Sequence, residues 1–523
     1  MRTRIESPSD AKPTARRRRW RGLLFRLAAV IIGLTPLLLA EGLFAILDWG
    51  RPDYGEDPFV GFSAVYPLFV PSDDGTRYEI PPSRQMFFRP DSFAAEKGPD
   101  EFRIFCLGGS TVQGRPFAIE TSFTTWLEIN LQAADPKRHW EVVNCGGVSY
   151  ASYRLVPILQ EVLGYEPDLI ILYTGHNEFL EDRTYGHIKH LWPIVARPCE
   201  LASRTRTVTL LRRGYLRLRG GADQTATLGR PVLGPETDAM LEYRGGLEQY
   251  QRDEKWRRDV IAHFRYNIQR MVHLAQEAGV PMLLVNPVCN LRDQAPFKTQ
   301  HRDGLAPEEL KQWESLVDKA GDCLAEAKQR QVARDAAGAR TSLRQTVLLL
   351  EQALEIDDQH AGLRYMLAKC YDELNLMTKA RESYLAAKEL DICPLRVLEP
   401  MNRAVLQIGR QSDTPVVDVR VLFEQLSDAG IPGSYRLLDH VHPSIAGHRL
   451  IAAALTDELV RQGVVDPVPG WEQTRDRRAE AHHASLGDLY FAQGQERLDA
   501  LRCWTKGMAD GEREPSGTSD GPP

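Results

Sequence analysis

A chain of 523 residues exceeds what one hydrophobic core usually organises, so two or three structural units are expected. Apolar residues at 43% and charged residues at 26% are ordinary globular values and exclude a mostly disordered chain. A formal net charge of -6 supplies no overall basic field, which sets aside nucleic acid as a partner.

The basic N-terminus, residues 1–22, carries Arg16, Arg17, Arg18, Arg19 and Arg21 directly before an apolar run. Residues 23–49 are long enough to cross a hydrocarbon core, with Arg26 placed to snorkel toward the basic flank and Glu41 toward the opposite interface. The arginine cluster predicts a single-pass anchor with a cytoplasmic N-terminus and the bulk of the chain outside the cytoplasm. A signal peptide cut after Ala40 would place bulky Leu38 where a small residue is wanted, so the anchor is read as uncleaved. Residues 50–100, rich in Pro, Gly, Asp and Ser, read as an extended stem.

From Glu101 short β-rich runs alternate with helical ones: RIFCLGG, SFTTWLEINLQAA, WEVVNCGG, SYRLVPILQEVL and DLIILYTG. The series resumes with VIAHFRYNIQRMVHLAQEAG, PMLLVNP and, much later, TPVVDV. Five strands with helices between them predict an α/β fold with a five-stranded parallel sheet, whose ligands bind at the carboxyl ends of the strands. The predicted domain is split into residues 101–290 and 413–463.

Two stretches break the rhythm. Residues from about 180 to 257 lack clear periodicity and suit a lid, a cleft wall or a surface insertion. Residues 291–412 are strongly helical, and Leu367, Ala368, Tyr371, Ala380, Tyr384 and Ala387 fit the packing positions of a tetratricopeptide helix-turn-helix unit. VLLLEQALEIDD resembles the second helix of a preceding unit, and residues 464–509 repeat the pattern through Leu486, Gly487, Tyr490 and Ala500. Such units need neighbours to bury their apolar faces, so the insertion and the C-terminal unit are expected to pack together, either as a groove for a protein partner or as bracing. Residues 510–523 read as a disordered tail.

The chemistry gathers at strand ends. Ser110 follows RIFCLGG on a strand-to-helix turn, and a serine hydroxyl needs a base and oxyanion donors before it attacks an acyl group. Asp439 and His442, three apart in LLDHVHPS, let one loop carry an imidazole and the carboxylate that fixes its tautomer. His440 and His448 read as surface or packing residues. Asn177, in GHNE at the end of DLIILYTG, offers a side-chain amide as an oxyanion donor or as a turn cap. VVNCGGVSYAS offers backbone N–H groups at the same edge. The cysteines include no CxxC pair and no histidines at metal spacing, so neither a metal nor a cofactor is expected, and disulfide pairing is not legible.

GGST with Ser110, GHNE with Asn177 and DHVHP with Asp439 and His442 together resemble the SGNH/GDSL hydrolase superfamily. The resemblance covers about residues 101–180, 258–290 and 414–462. It implies a three-layer α/β/α fold, a Ser110–His442–Asp439 triad, ester hydrolysis through an acyl-enzyme, and oxyanion donors from Ser110, Asn177 and a glycine of the second block. That glycine's place is held by Ser149, with Gly147 two residues earlier as the other candidate. The implied substrate is an acyl ester, with O-acylated envelope glycans or lipids in view. An envelope O-acyltransferase using the same site, and a non-catalytic scaffold built on the helical repeats, are the alternatives.

Overall fold

The computed structural model describes residues 67–180 and 250–505, with short pieces between residues 35 and 49 and between 205 and 210. It divides into a small unit, Met1–Pro58 with Leu191–Gln224, and a large one, Phe59–His190 with Thr225–Pro523. The membrane helix expected over 23–49 lies largely outside the described residues, and no helix among the described residues is long and apolar enough to cross a membrane. Most of the aperiodic stretch from 180 to 257 and the tail from 510 also lie outside them. Within the small unit the Glu41 carboxylate accepts the Arg206 N–H at 2.7 Å and the Thr207 N–H at 2.9 Å. The segment around Arg206 and Thr207 thus meets the helix that carries Glu41.

The large unit opens with a three-stranded antiparallel sheet, β1 (Val70–Pro71), β2 (Arg77–Glu79) and β3 (Ser92–Ala94). Residues read as an extended stem are therefore folded here. The cause is apolar content that the Pro and Gly signals mask: Leu68, Phe69, Phe88 and Phe93 are buried, and Phe93 packs edge-on to Phe105 with ring centroids 5.1 Å apart.

The main sheet comprises β4 (Glu101–Gly108), β5 (His139–Gly146), β6 (Leu169–Tyr173), β7 (Met282–Asn286) and β8 (Val416–Asp418), in the order β5-β4-β6-β7-β8. Every neighbouring pair is parallel. Its strands bury both faces by strict alternation: Phe105, Leu107, Ile170 and Leu172 enter one core, Ile104, Cys106, Leu169 and Ile171 the other.

Helices cover both faces, making three layers. After α1 (Ser110–Gln113) comes α2 (Phe123–Ala134), which packs in the second core, whereas α3 (Ser152–Val162) and α4 (Glu254–Glu277) pack in the first. The chain then leaves the sheet for two helix pairs, α5 (Pro307–Val332) with α6 (Ala336–Ile356), and α7 (Ala361–Glu373) with α8 (Met377–Glu389). Leu367, Ala368, Tyr371, Ala380, Tyr384 and Ala387 are all buried.

The sequence assigns residues 399–411 to the helical insertion, but α9 (Glu399–Gln411) belongs to the α/β layer: Met401, Val405 and Ile408 join the core beneath α4. The short α10 (Val419–Gln425) and α11 (Ile445–Arg461) complete the other face. The C-terminal pair α12 (Trp471–Ser485) and α13 (Asp488–Thr505) does not stack on the insertion as expected. Ala479 and Trp471 join the α2/α11 core, on the sheet face opposite the one the insertion shares. A long apolar stripe on α2 offers that pair a surface already at hand, and Trp126 takes His482 edge-on at 5.3 Å.

Candidate active site

β4 pairs with β5 on one side and with β6 on the other, so the connections leaving β4 and β5 run to opposite sides and open a crevice at the carboxyl ends. Register places Gly108 opposite both Gly146 and Tyr173, which brings the turns after the three strands to one level. Close approach demands glycine here. A Cβ on Gly108 would lie 2.1 Å from the Tyr173 carbonyl oxygen, and one on Gly109 would lie 2.7 Å from the Asn177 amide nitrogen.

Ser110 opens α1 and is 8% exposed. The His442 Nε2 lies 2.7 Å from the Ser110 Oγ, and the His442 Nδ1 lies 2.6 Å from the Asp439 Oδ2. The other carboxylate oxygen of Asp439 accepts the backbone N–H groups of Val441 at 2.9 Å and His442 at 2.8 Å. Burial alone would raise the Asp439 carboxyl, but the charges of His442 and His440 and the hydrogen bonds from His442 hold it well below the ordinary carboxylate range. A charged Asp439 keeps the proton of a neutral His442 on Nδ1, leaving Nε2 as a lone pair facing the serine.

Of the second-block candidates, Gly147 has its N–H bonded to the Gly108 carbonyl at 3.0 Å, and Val148 donates to the Phe87 carbonyl at 2.8 Å. Ser149 and Ser110 have no such partner for their N–H groups among the described residues. Ser149 holds φ at 61°, the left-handed conformation that glycine adopts without strain. The Asn177 Nδ2 donates to the Tyr150 carbonyl at 3.2 Å, which uses one of its two hydrogens. Gly147 is thus set aside as a donor, while Ser110, Ser149 and Asn177 keep donors to give.

The two competing histidines are both buried packing residues rather than surface ones. His440 packs edge-on to Phe297 at 5.3 Å, and burial lowers it to about 4. His448 stacks on Phe123 and accepts its N–H at 3.2 Å, and burial lowers it to about 3.

Residues that the motifs do not single out complete the site. Glu178 accepts the Ser152 N–H at 2.7 Å and its hydroxyl at 2.9 Å, tying the Asn177 turn to the segment after Ser149. His176 accepts the Val397 N–H on Nδ1 at 3.3 Å and is lowered to about 3, first by burial and then by His440 and His442. The Asn144 amide bridges the Val112 carbonyl at 2.7 Å and the Thr124 hydroxyl at 2.9 Å, pinning α1 to β5 and α2. GHNE already spells His176 and Glu178, but only contacts reveal their use. Among the described residues no group of three or more His, Cys, Asp or Glu is placed to hold a metal.

No family model and no curated protein sequence matches the chain. Solved structures do. The chain is similar to GDSL-type lipolytic proteins and acetylxylan esterases. An acetylxylan esterase from Geobacillus stearothermophilus aligns at 12% identity and a TM-score of 0.30, over 70% of this chain and 95% of its own. A lipase/acylhydrolase from Enterococcus faecalis aligns at 12% identity and a TM-score of 0.30, over 71% and 100%. A lipolytic protein of the G-D-S-L family from Desulfitobacterium hafniense aligns at 11% and 0.28, over 68% and 98%. At such scores the likeness decides nothing about activity, which has to be argued from the site.

Proposed function

We propose that the chain is a serine ester hydrolase of the SGNH/GDSL type, with Ser110 as nucleophile, His442 as general base and acid, and Asp439 as its orienting carboxylate. The observation that carries this reading is the unbroken series from Asp439 through His442 to Ser110, with contacts of 2.6 and 2.7 Å. His442 takes the hydroxyl proton as Ser110 Oγ attacks the ester carbonyl, and Asp439 stabilises the imidazolium that forms. The N–H groups of Ser110 and Ser149 and the remaining hydrogen of Asn177 face the developing oxyanion. His442 then protonates the leaving alcohol, and water repeats the steps with roles reversed, so the cycle needs no cofactor.

The substrate class is an acyl ester, proposed to be an O-acylated envelope glycan or lipid on the strength of the basic run and apolar segment at the N-terminus. The helical insertion is proposed to be tetratricopeptide-like and to receive a protein partner.

The test uses the full chain in detergent, with short-chain aryl esters and a fluorophosphonate probe. Ser110→Ala is expected to lower kcat/KM by at least about 1,000-fold and to abolish labelling. A folded wild-type protein that neither hydrolyses nor labels would overturn the reading. Supplying glycan or alcohol acceptors separates hydrolysis from acyl transfer by where the acyl group ends.

A further inference from the structure

The loops that carry the site are held from outside the α/β fold. Between the helical pairs and α9 runs the segment Asp391–Leu398, in which Arg396 is 2% exposed. Arg396 donates through Nη1 to the Asn290 carbonyl at 2.8 Å and to the Gln294 carbonyl at 3.0 Å. Its Nη2 lies 3.7 Å from the Asp391 carboxylate, which also accepts the N–H groups of Phe297, Lys298 and Cys393 at 2.8, 3.0 and 3.0 Å.

Asn290, at the exit of β7, passes the constraint on. Its N–H donates to the His440 carbonyl at 2.9 Å and its side-chain amide to the Asp439 carbonyl at 3.1 Å. Both acceptors lie on the turn that aims His442. The residue after Arg396 reaches the opposite wall of the crevice, since Val397 donates its N–H to His176, the neighbour of Asn177.

We infer that Arg396 is a positioning residue for the triad, and that through Asp391–Leu398 the helical insertion sets both the acid–base loop and the Asn177 turn. The inference rests on the esterase reading above. Arg396 touches no reacting group. Its chemistry nonetheless exceeds what bracing requires, because a buried ion pair is often no more stabilising than well-packed apolar residues in its place. A planar guanidinium has what an apolar side chain lacks: its Nη1 donates to both the Asn290 and Gln294 carbonyls while its Nη2 is held facing Asp391. Misplacement of a catalytic loop by about 1 Å can cost on the order of 100-fold in rate.

Two variants of the full chain test this. Arg396→Lys keeps the charge but loses the planar group that serves the two carbonyls and Asp391 at once, and Asp391→Asn combined with Arg396→Met leaves no buried charge unpaired. With folding checked by near-UV circular dichroism, both are expected to lower kcat and the rate of fluorophosphonate labelling by roughly 10-fold or more, the lysine variant less than the double, while KM changes less than about threefold. The split matters, because a bracing role would move the melting temperature and leave kcat alone. A folded variant of either kind with wild-type kcat and labelling overturns the inference. A wild-type protein that neither hydrolyses nor labels instead overturns the esterase reading, and the inference falls with it.

Discussion

The two helical appendages attach to opposite faces of one sheet by different chemistry. The insertion α5–α8 is joined through buried charge: Lys388, 2% exposed, lies 2.9 Å from Glu399 and 3.6 Å from Glu389, and Arg396 faces Asp391 nearby. The C-terminal pair is joined through aromatic contacts and hydrogen bonds, several of them to backbone carbonyls. Tyr490 stacks on Phe117 with ring centroids 6.0 Å apart and shares a 2.8 Å hydrogen bond with Thr121, while Arg497 donates to the Phe117 carbonyl at 2.9 Å from a partly exposed position. Buried ion pairs tolerate little displacement, whereas hydrogen bonds from partly exposed side chains exchange with water at lower cost. The difference implies that the insertion is the more firmly tied to the loops of the proposed site, although α13 also reaches one of them where Arg502 donates to the Leu438 carbonyl at 3.3 Å.

Both faces nevertheless share one device, a buried neutral histidine whose Nδ1 accepts a backbone N–H. His176 takes it from Val397 on the insertion side, and His448 takes it from Phe123 on the other. Each keeps a bond that protonation would break.

The comparison can be broken most directly at Lys388. Lys388→Met leaves Glu399 with Arg420 alone and should cost about 3 kcal/mol in urea denaturation. A loss below about 1 kcal/mol would mean that the buried charges are not what holds the insertion.

A pH series sharpens it. The His448 pKa is depressed to about 3, below its unfolded value, so its contribution to stability is present above pH 6.5 and is lost as pH falls toward 3. The stability gap between wild type and His448→Gln should therefore narrow by about 1.4 kcal/mol between pH 7.5 and 5.5. A gap that stays constant with pH would show that His448 is not held neutral.

The smallest effect is expected at the C-terminal pair. Tyr490→Phe removes the bond to Thr121 but keeps the stack, and should cost about 1 kcal/mol with kcat unchanged. A marked fall in kcat would contradict the looser tie of α13 to the site.

Much of this organisation was legible before any coordinates. Alternating apolar runs such as RIFCLGG and DLIILYTG specify parallel strands, because a strand buried on both faces has no polar side to show. Ser110, Asn177, Asp439 and His442 could be picked out because each follows a strand or a turn where its chemistry makes sense, and their spacing along the chain is short within each motif. The stem was misread because Pro and Gly signal turns without saying whether the aromatics between them find a core. Its Phe69 and Phe93 find one against Phe105, a contact between distant segments.

What the sequence by itself determined is therefore local: strand and helix periodicity, the candidates for nucleophile, base and carboxylate, and the glycines that let backbones meet. Tertiary structure alone separates Ser149 from Gly147 as candidate donors, since that turns on which N–H is already bonded to Gly108. It alone placed the insertion and the C-terminal pair on opposite faces, and it alone joined Arg396 to Asn290 across 106 positions of chain. The physical reason is the same in each case. Periodicity and motif chemistry act between near neighbours, whereas the satisfaction of a buried donor or charge depends on whatever segment the fold brings within about 3 Å.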